Sequence, residues 1–129
     1  MLITSIPQYI QGLTNAKVDL TNTNDTVLYT APSDSDFNAS VVNSLLVSND
    51  SGSADTITVT LISGSDTFSV YKLEEVGALS TKELLSKDLI MQSGEVLKVQ
   101  AATGARLHVI ASIQELTKTR ITTSALANI

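Results

Sequence analysis

Apolar and polar residues alternate with a period of two along much of the chain. The cleanest stretch is Thr56-Ile57-Thr58-Val59-Thr60-Leu61, in which Ile57, Val59 and Leu61 point one way and three threonines the other. Successive side chains of a strand project to opposite faces, so this pattern predicts a half-buried strand of an antiparallel sheet. Glu95 to Ala101 repeats it with Leu97, Val99 and Ala101 in phase, and Ala105 to Glu115 repeats it with Leu107, Val109, Ala111 and Ile113. Thr67 to Lys72 places Phe68 and Val70 inward and follows the turn Ser63-Gly64-Ser65-Asp66, which predicts a hairpin with the strand before it. In Ser40 to Ser48 the odd positions Val41, Leu45 and Val47 form the apolar face, interrupted by the polar Asn43. Thr26 to Thr30 is a short strand ended by Ala31-Pro32-Ser33-Asp34-Ser35-Asp36, because proline cannot donate to a ladder and serine and aspartate favour turns.

Two regions are less regular. Leu73 to Leu79, with Glu74-Glu75 and Gly77, is loop-like. In Thr81 to Ile90, Leu84, Leu85 and Leu89 have helical spacing and Ser80 with Glu83 makes a capping box, yet the strands on either side favour a strand here too. At the ends, sparse apolar residues (Leu2, Ile3, Ile6, Tyr9, Ile10 and Leu13; then Ile121, Leu126 and Ile129) sit in otherwise polar segments. The expectation is an all-β fold: one antiparallel β-sandwich, jelly-roll or Ig-like, of about seven strands over residues 26–116, with an N-terminal arm over 1–25 and a C-terminal tail over 117–129. The spaced apolar residues of the two terminal segments are the candidate interface positions.

Composition sharpens this. Serine and threonine together number 32 of 129 residues, while charged residues are only 16% against the usual ~25%. Hydroxyls in place of Lys and Glu suit strands and turns, and a low charge count lowers the cost of burying surface between subunits. Eight basic and thirteen acidic residues leave a net charge of −5, which argues against nucleic acid and against anionic membranes as partners. No stretch approaches the ~18 apolar residues of a membrane-spanning helix. The start of the chain has no basic segment followed by an apolar run, so no signal peptide is expected. Three Asn-x-Ser/Thr sequons, at Asn24, Asn38 and Asn49, are accounted for by the abundance of Ser and Thr. Without cysteine there is neither a disulfide nor a thiolate metal site.

Chemistry-bearing patterns are sparse. His108 is the single histidine and lies out of phase with Leu107 and Val109, so it is expected on the surface or at an interface. Ser69-Val70-Tyr71-Lys72 has Ser-x-x-Lys spacing, but that motif needs a helical turn to bring its ends together. Asp34, Asp36, Asp50, Asp55 and Asp66 gather in turns. Asx turns explain them, with oxygen ligation of calcium as the alternative. Glu74 and Glu75 fit a solvated loop. No glycine-rich phosphate loop is present. The expectation is no enzyme, no cofactor and no bound metal.

Three segments carry a family resemblance: Val27-Leu28-Tyr29-Thr30-Ala31-Pro32; Val42-Asn43-Ser44-Leu45-Leu46-Val47-Ser48-Asn49 with the turn and alternating strand after it; and Gly94-Glu95-Val96-Leu97-Lys98-Val99 followed by Leu107 to Glu115. Together, over about residues 26–116, they resemble small β-sandwich virion proteins of tailed bacteriophages, with Gly94-Glu95 where Gly-Asp is commoner. The resemblance implies a non-enzymatic structural role in the virion, assembled in the host cytoplasm. It implies partners in other copies of the chain (a homo-oligomer such as a trimer) and in other virion proteins such as the major capsid protein. Head decoration is the favoured role. The alternative is a neck, tail or fibre component that adapts between parts or binds a receptor or carbohydrate, with a pocket expected around Phe37, Asp50 or Tyr71.

Overall fold

The computed structural model describes residues 9–118, with side chains from residue 12 onward. Nine strands lie within them: β1 (Tyr9–Leu20), β2 (Thr26–Thr30), β3 (Phe37–Asn49), β4 (Asp55–Ser63), β5 (Asp66–Val76), β6 (Ser80–Glu83), β7 (Leu89–Met91), β8 (Val96–Ala101) and β9 (Leu107–Thr117). They form two antiparallel sheets, one in the order β1-β9-β3-β6 with β7 also on β3, the other in the order β2-β8-β4-β5. The expected all-β antiparallel sandwich is therefore present.

The pairings nest. β1 pairs with β9, β2 with β8, β3 with β6 and β7, and β4 with β5. β6 and β7 lie end to end along β3, on Leu46–Asn49 and Ser40–Val42 respectively, so they are two halves of one interrupted strand. Eight strands nested as a single long hairpin and rolled into two sheets make a jelly roll, which separates this fold from the Ig-like alternative.

Val42, Leu45 and Val47 of β3 and Val109, Ala111 and Ile113 of β9 face Ile57, Val59, Leu97 and Val99 of the second sheet, all buried. The alternating stretches of β4, β8 and β9 face as their patterns predict. In β3 the phase differs: Val42 is buried and Val41 faces outward. The register against β9 slips by one residue between Val42 and Ser44, so Asn43 is the extra residue of a β-bulge, and a second bulge at Asn38 lies between Phe37 and Ala39. Side-chain direction has a period of two, so one inserted residue exchanges the faces. Asn43 is thus no polar intruder on the apolar face, but the exposed residue at which the faces change over.

The same bulge explains the irregular stretch after β5. Where β3 bulges, its outer neighbour loses the ladder, and the strand breaks between β6 and β7. Glu83 spans the gap. Its carboxylate accepts the Leu45 N–H at 2.7 Å and the Leu85 N–H at 3.2 Å, and also takes the Ser44 hydroxyl, while Leu84 N–H donates to Leu45 C=O at 2.9 Å. The Ser80–Glu83 spacing that resembles a helix cap serves a strand here.

Two further segments depart from the sequence reading. Residues 9–20, placed in an N-terminal arm, form the edge strand β1, in register with β9 from Tyr9↔Thr117 to Leu20↔Leu107. Its inward residues include only Ala16, Val18 and Leu20, too slight an apolar signal to stand out. Phe68 does pair with the inward-facing Leu61, but it remains 54% exposed because β5 is the edge of its sheet.

A polar tie joins the two sheets. Tyr29 of β2 donates its hydroxyl to Glu115 Oε2 of β9 at 2.5 Å and sits 2.7 Å from Ser40 Oγ of β3. Burial, with the Glu115 carboxylate beside it, holds the phenol well above its ordinary pKa, so it remains a donor.

Replacing the exposed Asn43 with Ala is expected to change stability by less than ~0.5 kcal/mol, whereas deleting it throws half of β3 onto the wrong face and is expected to cost ~3 kcal/mol or more. Urea midpoints of the two variants, at unchanged m-value for Asn43→Ala, check this.

Candidate interaction face

The outward side chains of the five-stranded sheet form a broad surface whose rows follow from the register. One row runs Lys17 (β1), Ile110 (β9), Leu46 (β3), Glu83 (β6). A second runs Leu13, Gln114, Val41, Ile90 across β1, β9, β3 and β7. Between them lie Asn15, Ser112 and Ser44. Leu13 is 75% exposed, Ile90 53%, Ile110 44% and Leu46 37%. Large apolar groups and small polar ones dominate, and charge is confined to the margins. Two shallow depressions of about 260 and 440 Å³ open on this sheet, the first lined by Lys17, Asp19, His108 and Ile110 among others, the second by Leu13, Asn15, Asn43 and Gln114 among others.

At one end of the face His108 lies between two carboxylates, with Nδ1 3.3 Å from Asp19 Oδ1 and Nε2 3.2 Å from Asp50 Oδ2. The out-of-phase position on β9 puts it at the surface, as the pattern requires. Both ring nitrogens are engaged, so the imidazole joins the ends of β1 and β3 and holds no nitrogen toward a nucleophile. Its two carboxylates lie on opposite sides of the ring, whereas a metal ligand uses one nitrogen. Among the described residues no group of three His, Asp or Glu is placed to hold a metal ion.

The acidic turns do not converge. Asp34 and Asp36 precede β3 and Asp50 follows it, a strand of 13 residues and so ~40 Å long. Asp66 opens β5. Asp55 is buried and accepts backbone N–H groups from Thr56 and Thr103, the structural use of a turn aspartate. Asn49 is used in the same way, its amide donating to Ser53 and Val76 carbonyls while its Oδ1 accepts from Ser51. Ser69 and Lys72 lie on the extended β5. Glu74 is paired with Lys82 at 2.5 Å, and Glu75 is exposed. Phe37 is buried at the end of β3 opposite Asp50, and Tyr71 donates its hydroxyl to the Leu84 carbonyl, so Phe37, Asp50 and Tyr71 do not line a common pocket.

Of the terminal interface candidates, Leu13 lies on the face just described. Tyr9 and Ile10 contribute backbone to β1, and Leu2, Ile3, Ile6, Ile121, Leu126 and Ile129 lie outside the described side chains. Sequence reasoning missed Leu46, Ile90 and Ile110. The available signal was an apolar residue at an outward position of an alternating strand, clearest at Ile110, which breaks the phase of Leu107, Val109, Ala111 and Ile113.

Glu83 borders the face, and its burial works to raise the carboxyl pKa. Hydrogen bonds from the Ser44 hydroxyl and from the Leu45, Leu85 and Leu84 N–H groups outweigh that and hold it below its ordinary value. A depressed carboxylate adds stability that is complete above its unfolded-state pKa and lost as pH falls through the folded one. Glu83→Gln is therefore expected to be less stable than wild type at pH 7, by about 1 kcal/mol after solvent screening, with the gap closing below ~pH 4.5. Thermal melts of both proteins across pH 3–7 measure it.

No family model matches the chain, and no curated protein matches it. Among solved structures, a pentameric capsid protein isolated from metagenomic phage sequences is similar at 19% identity and a TM-score of 0.43, with 80% of this chain aligned to 60% of that one. A structure of infectious bursal disease virus, Gx strain, is similar at 10% identity and a TM-score of 0.32, with 92% of this chain aligned to 43% of that one.

Proposed function

We propose that this chain is a non-enzymatic structural protein of a bacteriophage virion, acting as a capsid decoration protein that stabilises the head through symmetric self-association and through contacts of its terminal segments with neighbouring subunits. The observation that carries this reading is the outer face of the five-stranded sheet: a charge-poor surface with four exposed large aliphatic side chains, on a jelly roll whose Asp55 serves a turn and whose His108 ties strand ends. A chain that works alone gains nothing from such a face, whereas depletion of charge and exposure of aliphatics suit a surface covered by another protein. Jelly rolls are used in viral coats and in lectins; the absence of a shared aromatic pocket around Phe37 and Tyr71 favours the first use. The resemblance to phage virion proteins rests on segments that are β2, β3, β4, β8 and β9, the framework of both sheets.

Quantitative mass spectrometry of purified particles tests the reading. Hundreds of copies of this chain per particle, in a fixed ratio to the major capsid protein, are expected. A few to a few tens of copies would overturn decoration in favour of a neck, tail or fibre role, and absence from the particle would overturn the virion role.

A further inference from the structure

The rows of the outer face have an order that matters beyond their apolar content. The first reads cation, aliphatic, aliphatic, anion across the sheet: Lys17, Ile110, Leu46, Glu83. The second carries an exposed aliphatic at each edge, Leu13 on β1 and Ile90 on β7, with Gln114 and Val41 between. The first row is self-complementary under one symmetry operation, which also matches the aliphatic edges of the second and sets Gln114 against Val41 between them. We propose that two copies of the chain pack face to face through this sheet, about a two-fold axis that runs along the strand direction between β9 and β3. This deepens the self-association part of the proposed function and rests on it.

Rotation about that axis exchanges the two edges of the sheet at each level along the strands. Lys17 of one copy then faces Glu83 of the other, twice by symmetry. Leu13 faces Ile90 of the second copy, and Ile110 faces Leu46. At the end of the face, the polar His108 and Asp19 lie over the polar Ser48 and Thr81 of the second copy, so no charge is set against an aliphatic group there. The small Asn15, Ser112 and Ser44 between the rows let the sheets approach. An isologous contact demands this kind of self-match. The other in-plane axis, across the strands, fails the same check: it sets Lys17 over Leu13 and Glu83 over Ile90, leaving each charge against an aliphatic group. The size also suffices. Four strand positions at ~4.8 Å and about ten residues at ~3.4 Å give ~650 Å² per copy, or ~1,300 Å² in total, within the range of stable interfaces.

The test uses the full-length chain in sedimentation equilibrium. Wild type is expected at twice 13.7 kDa. Leu13 and Ile90 are largely exposed, so charges at those positions leave the fold intact. Leu13→Glu and Ile90→Lys should each weaken the dimer at least tenfold, and the double variant should recover it, because the new charges face each other between copies. A wild-type chain that is monomeric at ~100 µM, a dimer indifferent to both single variants, or a double variant no better than the singles would overturn the proposal. Its failure is separable from failure of the virion reading. A chain found in particles yet monomeric in solution loses this contact alone, whereas a dimer that responds as expected upholds the contact even if the chain is absent from particles.

Discussion

The antiparallel pairing of β3 with β9 is the contact on which the rest of the molecule depends. It spans Phe37↔Thr117 to Asn49↔Leu107 and sits at the centre of the five-stranded sheet, with β1 outside β9 and the β6–β7 pair outside β3. Because side chains alternate, this one register decides which residues enter the core and which face outward. It places Val42, Leu45 and Val47 beside Ile113, Ala111 and Val109 on the inner face, and Leu46 beside Ile110 on the outer one. Two inserted residues, Asn38 and Asn43, reset the alternation along the way. The cost of the second is carried by the neighbouring strand, whose break Glu83 fills with its carboxylate.

The nested pairing leaves each sheet with two free edges and gathers the connections at the two ends of the sandwich. One end is pinned by buried turn residues: Asn49, which closes its own loop and reaches the Val76 carbonyl, and Asp55, which accepts from Thr103. The approach of chains there is close enough that a side chain on Gly104 would meet the Thr21 carbonyl at 2.7 Å. No buried side-chain nitrogen or oxygen among the described residues lacks a partner. The Tyr29–Ser40–Glu115 tie is the polar counterpart of the apolar core between the sheets, a hydrogen-bonded crossing worth more in a half-buried setting than at the surface. Asn49, Asp55, Tyr29, Ser40 and Glu115 are thus spent on closing turns and joining strands.

Much of the fold is legible in the sequence wherever one face of a strand is buried and the other wet. β4, β8 and β9 announce themselves in that way, and their buried residues are the ones the alternation selects. The pattern misleads where a bulge changes the phase, as at Asn43, because alternation alone cannot tell an outward polar residue from an inserted one. It is silent at β1, where Ala16 is a small inward residue and Leu13 an outward large one. It is ambiguous at residues 81–90, where leucines at helical spacing serve a broken strand. The outer face was the least legible, because Leu46, Ile90 and Ile110 become a surface only when four strands are laid side by side. The phase of β9 puts His108 at the surface, yet its pairing with Asp19 and Asp50 depends on three separate elements that no local pattern connects.

If the outer face of the five-stranded sheet is the surface through which this protein works, that face should lose contact with water when the protein assembles. Hydroxyl-radical footprinting of concentrated, assembled protein against dilute, dissociated protein reads this residue by residue. The account expects Leu13, Leu46, Ile90 and Ile110 to be protected on assembly while the exposed Phe68 and Leu73 of β5 react equally in both states. Unchanged reactivity of those four, with protection at β5 instead, would contradict it.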